Sequence, residues 1–187
     1  MTANTEKRTF LQVVGWDQED STAEPTVRRE LLNLIIKIAA IAISFVFIFT
    51  CFYGLHRTAD PDMSPMIKDG DLVMFYRLDK NYAIGDLLLV NYQGERQVRR
   101  VVAKAGDTVD ITESGLTVNG AVQQEPAIYQ QTRRYKEGVS FPLTVAEGQV
   151  FVLGDARENA EDSRIYGPVN TKETLGKVIT VVRRRNL

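Results

Sequence analysis

A single histidine, His56, and a single cysteine, Cys51, narrow the chemistry open to this chain of 187 residues. A lone histidine excludes a His-rich zinc site and argues against a Ser-His-Asp triad. A lone cysteine excludes an intrachain disulfide framework and any multi-cysteine metal centre. No metal or cofactor is expected, and acid–base or nucleophilic work would fall to carboxylates, lysines or hydroxyls. The densest grouping of these is Asp60-Pro61-Asp62-Met63-Ser64-Pro65-Met66. Asp60 and Asp62 come from one short stretch with no second, symmetric acid, which argues against a carboxylate-pair hydrolase. Ser64 precedes Pro65 and reads as a turn hydroxyl. Lys68 reads as a solvated loop residue. In the run Gln97–Lys104, strand alternation puts Gln97, Arg99, Val101 and Ala103 on one face and Val98, Arg100, Val102 and Lys104 on the other. Lys104 is therefore expected to point away from Arg99. An arginine cannot act as a general base, because its guanidinium keeps its proton under protein conditions.

Two kinds of element must position these residues. Ile38 to Leu55 is apolar apart from small and hydroxyl residues, and its 18 residues reach the usual spanning length. Leu31 to Ile36 extend it, and Lys37 can snorkel to the interface. A core helix of this length would carry a polar face. A cleaved signal peptide would start nearer the N-terminus and end in small residues, where this chain has Leu55-His56-Arg57-Thr58. The expected organisation is a cytoplasmic tail over residues 1–30, a single transmembrane anchor over 31–55 and an extracytoplasmic β domain over 56–187. Arg28, Arg29 and Lys37 against His56 and Arg57 favour a cytoplasmic N-terminus in the cell membrane.

The outer part is mainly β. Leu72–Arg77, Leu87–Tyr92, Gln97–Lys104, Thr108–Thr112, Leu116–Val118, Val150–Leu153 and Lys177–Val182 are short runs rich in β-branched, Leu and aromatic residues. Asn119-Gly120 is a two-residue hairpin signal. Residues 121–149 are polar with scattered Pro and Gly, and are expected to form an irregular excursion. No helix longer than a few turns is expected outside residues 28–55. A net charge of -1 argues against a nucleic-acid partner. The terminal run Arg183-Arg184-Arg185 could meet anionic headgroups near the anchor.

Four segments, in order, carry a resemblance. They are Met63-Ser64-Pro65-Met66 leading to Gly70-Asp71-Leu72; Gly85-Asp86 heading a strand; Val98-Arg99-Arg100-Val101-Val102 leading to Gly106-Asp107; and the run from Gly154-Asp155 through Asp162-Ser163-Arg164 to Gly167. With the apolar stretch upstream, this order and spacing resemble type I signal peptidases. The resemblance implies a signal-peptidase-like β fold behind one anchor helix. It also implies a Ser-Lys dyad, in which a desolvated lysine takes the proton of a serine nucleophile. A second serine and a backbone N–H would form the oxyanion hole.

At each of those places the chain departs from the pattern. The nucleophile position is Asp62 and the lysine position is Arg99. The oxyanion serine position is Asp60, followed by Pro61 where a glycine is usual. Ala160 and Ala156 stand where Ser and Asn are usual. A carboxylate at position 62 is a weak nucleophile and would repel a developing oxyanion, and Asp60 would add to that repulsion. Asp62 and Arg99 are expected to face each other as an ion pair. Arg100, Asp155, Asp162 and Arg164 are expected to form a supporting ion-pair lattice. The same replacements resemble a catalytically inactive group of signal-peptidase-like proteins of Gram-positive bacteria, especially streptococci, linked to pilus assembly. The resemblance implies a chaperone-like accessory whose partners are pilin subunits and the pilus sortase. An active peptidase with a non-standard dyad is the alternative.

Overall fold

The computed structural model describes residues 27–183. Most of the expected cytoplasmic tail, with Phe10 and Trp16, lies outside the described residues, as do Arg184 and Arg185. Helix α1 spans Val27–Cys51, and none of its residues is buried. At about 1.5 Å per residue, its 25 residues exceed the roughly 30 Å hydrocarbon thickness of a bilayer. Length and composition suit a membrane anchor or a signal sequence.

The expected end of the anchor at residue 55 is corrected by the structure. The helix stops at Cys51, and strand β1 begins at Tyr53 (Tyr53–Arg57). Hydropathy alone does not distinguish these states, although the aromatic Tyr53 suits a strand. Gly54 pairs with Phe75 across β1 and β2 (Leu72–Tyr76). A Cβ on Gly54 would sit 2.2 Å from the Phe75 ring, so only glycine admits that ring. The Tyr53 and Tyr76 rings pack tilted against each other, with centroids 5.3 Å apart, at the start of the strand.

The remaining strands are β3 (Leu87–Tyr92), β4 (Glu95–Lys104), β5 (Thr108–Thr112), β6 (Gly115–Val118), β7 (Ala121–Val122), β8 (Leu143–Thr144), β9 (Gln149–Leu153), β10 (Val169–Asn170) and β11 (Gly176–Val182). A seven-stranded sheet has the order β1-β2-β11-β3-β4-β9-β10, and a four-stranded sheet the order β7-β6-β5-β8. The only other α-helix among the described residues is the single turn α2 (Ser163–Tyr166). The architecture is therefore mainly β behind one apolar helix. Asn119 and Gly120 take φ of 54° and 79° between the paired Val118 and Ala121, the geometry of a primed hairpin turn. The excursion over 121–149 is largely irregular, with β7 and β8 at its two ends.

Three clusters fill the interior. One lies between the two sheets around Val109, Leu116, Phe151 and Leu153. A second gathers Met63, Ile67, Val73, Phe75, Leu89 and Val98. A third, around Tyr82, Leu88, Val101, Val150 and Val152, covers the other face of the large sheet.

The expected alternation along β4 fails after Val101. Val101 pairs with Val152 and Ala103 with Phe151, so Val102 is an extra residue in a bulge. Lys104 then pairs with Val150, which shares the Val152 face. Arg99 pairs with Leu88 on that same face. Lys104 is thus returned to the side of Arg99, and it is separated from it instead by about 15 Å of strand.

Candidate functional site

The loop between β1 and β2 is held from below and above. Met63 and Ile67 are buried in the core beneath it. Asp60 caps a 3-10 turn over Pro61–Met63, with its Oδ1 accepting the Asp62 N–H at 2.7 Å. Pro61 sits where its preset φ suits the first turn and its missing N–H is not needed. This capping bond has a chemical consequence. The backbone N–H at position 62, which could point at an oxyanion formed there, is already bound to a carboxylate.

Arg99 in β4 is fully buried. Its Nη1 donates to Asp60 Oδ2 at 2.7 Å and to the Val98 carbonyl at 2.7 Å. Its Nη2 donates to Asp62 Oδ2 at 2.6 Å, and its Nε to the Glu161 carbonyl at 2.9 Å. Asp62 Oδ2 also accepts the Glu161 N–H at 2.9 Å. Asp62 and Arg99 therefore meet directly. The unforeseen feature is Asp60, which acts as the second arm of the same guanidinium. Burial holds the Asp62 carboxyl above its ordinary pKa despite Arg99 and the Glu161 N–H, and the neighbouring Asp60 charge pushes the same way.

The segment after β9 closes over this unit. The Ala156 N–H donates to the Asp62 carbonyl at 2.8 Å. A Cβ on Gly154 would lie 2.4 Å from the Ala160 Cβ and 2.8 Å from the Asp62 carbonyl oxygen, so the close approach requires glycine. Ala160 is fully buried beside it. The four expected lattice residues form two bidentate pairs. Arg100 Nε and Nη2 donate to Asp155 at 2.8 and 2.6 Å. Arg164 Nε and Nη2 each donate to Asp162 at 2.8 Å. The Gly154 N–H, donating to Asp162 Oδ2 at 3.0 Å, links the second pair to the chain beside the first. Asp162 also caps α2.

The sequence reading missed several participants. Arg157, fully buried, donates to both oxygens of Glu125 and to Thr132 Oγ1, which ties the excursion to this segment. Tyr135 donates to the Ala160 carbonyl at 2.9 Å. Tyr166 is half-buried, its enclosed hydroxyl has no hydrogen-bond partner, and burial pushes its pKa up. No local pattern in the sequence points to the Arg157 pair, because its partner lies 32 residues away.

A groove of about 580 Å³ opens beside the unit, bordered by Asp60, Asp62, Gln97, Tyr135 and Glu161. Ser64 and Lys104 do not line it. Ser64 instead closes the 3-10 turn through its N–H to the Pro61 carbonyl. Cys51 lies in α1, and no cluster of three or more His, Cys, Asp or Glu suited to a metal occurs among the described residues. The polar groups of the groove include carboxylates, an amide, His56 and Arg96, and the Arg99 guanidinium beside them spends four of its N–H donors on Asp60, Asp62 and two carbonyls.

Comparison with known proteins adds a family to this geometry. A family model described as signal peptidase, peptidase S26, matches residues 28–183. Signal peptidase IB of Staphylococcus aureus strain Mu50 is 30% identical over 174 residues, covering 81% of this chain and 89% of that protein. The strain COL protein of the same name is 29% identical over the same length. The crystal structure of a signal peptidase I from Enterococcus faecalis V583 is 27% identical, covers 54% of this chain and 97% of its own, and aligns with a TM-score of 0.44.

Proposed function

We propose a function from one premise: the chain belongs to the signal peptidase family, peptidase S26. In this reading it is a catalytically inactive member. It is held in the cell membrane by α1, N-terminus inside, and presents its β domain outside. There it acts as a chaperone-like accessory in sortase-dependent pilus assembly, binding pilin subunits and the pilus sortase.

One observation carries the loss of catalysis. The two positions that the resemblance assigns to nucleophile and base are Asp62 and Arg99, and they are spent on each other. Arg99 is permanently protonated and cannot take a proton, and Asp60 occupies the N–H of residue 62. The pilus role rests on the resemblance to pilus-linked proteins with the same replacements. The binding role is supported by the open groove beside an otherwise closed ion-pair unit.

The names of the relatives favour the other reading, an active peptidase with a non-standard dyad. That reading needs Ser64 and a base, and Lys104 is about 15 Å along β4 from the Arg99 position. A cleavage assay with the full chain in detergent and a pilin precursor separates the two. The expected result is no cleavage. Turnover that disappears in Ser64→Ala would overturn the proposal. A deletion strain is expected to lose pili without accumulating uncleaved precursor.

A further inference from the structure

Asn119-Gly120 is the one Asn-Gly pair in the chain, and both residues are exposed at the turn between β6 and β7. The pair carries a chemistry of its own. A backbone nitrogen that loses its proton can attack the side-chain carbonyl of the preceding asparagine, and glycine, with no Cβ, leaves that nitrogen unhindered. The turn accounts for the backbone of the pair. It does not account for what the Asn119 side chain does.

That side chain is a staple. Its Oδ1 accepts the Thr108 N–H at 2.8 Å, and its Nδ2 donates to Asp107 Oδ1 at 2.8 Å. The Asn119 N–H donates to the Thr108 carbonyl at 2.8 Å. Asp107 is in turn a junction. Its Oδ2 accepts the N–H of Lys104, the last residue of β4, at 3.0 Å. Its carbonyl accepts the N–H of Val145, just past β8, at 2.9 Å. The staple thus ties the β6–β7 hairpin to the turn where β4 leads into β5. The excursion that Glu125 and Thr132 fasten to Arg157 starts at β7.

An amide engaged at both of its polar atoms is not free to turn its Cγ onto the Gly120 nitrogen, so reaction requires the staple to open. The Gly120 nitrogen then bonds to Asn119 Cγ, and ammonia leaves with the side-chain nitrogen and the displaced proton. Water opens the five-membered imide at either carbonyl and leaves an aspartyl or an isoaspartyl residue. The donor that met Asp107 is gone, and in its place a carboxylate, which can only accept, faces another.

We propose that Asn119 is a deamidation site gated by the Asp107–Asn119–Thr108 staple, and that the reaction turns the staple into a repulsive contact that loosens the β6–β7 hairpin at the start of the excursion. The proposal is independent of the binding role above.

The test incubates the full chain in neutral detergent at mildly alkaline pH, folded or unfolded in urea, and follows the gain of one mass unit at Asn119 by peptide mapping. Reaction through a rare open state is slowed by the ratio of closed to open forms. The folded wild type is therefore expected to react at least about tenfold more slowly than the unfolded chain. Asp107→Ala removes a bond to a charged acceptor and should react about tenfold faster than wild type when folded, and at the same rate in urea. Asn119→Asp reproduces the charge of the product. It should lose about tenfold of the hydrogen-exchange protection at the Gln123 N–H, which donates to the Leu116 carbonyl at 2.9 Å, with the β3–β4 amides unchanged. Equal rates in the folded and unfolded wild type would overturn the gating, and that comparison holds even where Asp107→Ala folds poorly. An Asp107→Ala chain with native β3–β4 protection and no acceleration would overturn it too. Undiminished protection of Gln123 in Asn119→Asp would overturn the loosening.

Discussion

Replacing Arg99 by alanine tests whether the ion-pair unit is structural in the way its geometry implies. Arg99 is fully buried and makes four hydrogen bonds, two to carboxylates and two to carbonyls. Breaking a buried pair from one side costs about 3–5 kcal/mol, because the partner charge is stranded. Here Asp60 and Asp62 border the groove, with side chains 22% and 14% exposed, so water can reach both. That places Arg99→Ala near the low end, about 3 kcal/mol. Asp62→Ala leaves Arg99 with Asp60 and both carbonyls, and strands the Arg99 Nη2 and the Glu161 N–H, for about 2 kcal/mol. The double variant should cost about 3.5 kcal/mol, which leaves a coupling of about 1.5 kcal/mol. Urea unfolding of the full chain in detergent, followed by the near-ultraviolet dichroism of the tyrosines, gives all three values. Additivity within about 0.5 kcal/mol would refute the argument, since it would mean that the two side chains do not depend on each other.

Asp62→Asn can keep both bonds at Oδ2 through its amide oxygen, and should change stability little at neutral pH. It should also alter the pH profile. A carboxyl whose folded pKa is raised binds a proton more readily when folded, so its contribution rises as pH falls from neutral through that raised value and levels off below the unfolded value. The difference in melting temperature between wild type and Asp62→Asn should therefore shift in favour of the wild type on acidification; a flat difference between pH 7 and pH 4 would contradict it. The triple variant Asp62→Ser, Arg99→Lys, Ala160→Ser should show little cleavage in a precursor assay, because Asp60 and Pro61 remain at the oxyanion side; robust cleavage would show that Asp60 releases the N–H of residue 62. Gly154→Ala should destabilise by about 2–3 kcal/mol, as its Cβ meets Ala160 and the Asp62 backbone; a melting temperature within error of wild type would show that the segment moves away freely.

Most strands of the outer part were legible because their apolar runs are short and bounded by Gly-Asp turns. What could not be read follows from specific interactions. β1 was absorbed into the anchor because an apolar count does not respond to the Phe75 ring lying on Gly54. The face of Lys104 cannot be read from alternation, because a bulge adds one residue without changing the local pattern. The Arg157–Glu125 pair joins distant stretches, and neither residue has a local signature. The direct meeting of Asp62 and Arg99 was expected from the aligned motifs, whereas the reach of Asp60 to the same guanidinium was not.

That last contact changes how the departures at 60, 61, 62 and 99 should be understood. Taken separately, each looks like the loss of one catalytic part. Physically they form one bonded unit. A buried guanidinium brings a permanent charge and five N–H donors, which a single carboxylate does not satisfy. Asp60 and Asp62 supply two anionic acceptors, and the carbonyls of Val98 and Glu161 supply two more. Two carboxylates so close together repel each other, and the cap from Asp60 to the Asp62 N–H fixes their spacing around the cation. Pro61 presets the turn that makes this cap possible. Restoring only the serine at 62 would leave Arg99 with Asp60 as its one carboxylate, and restoring only the lysine would leave two carboxylates around one flexible ammonium. The unit is therefore stable as a whole and unfavourable in parts, so reversing the dyad alone leaves the surrounding charges set for a different arrangement.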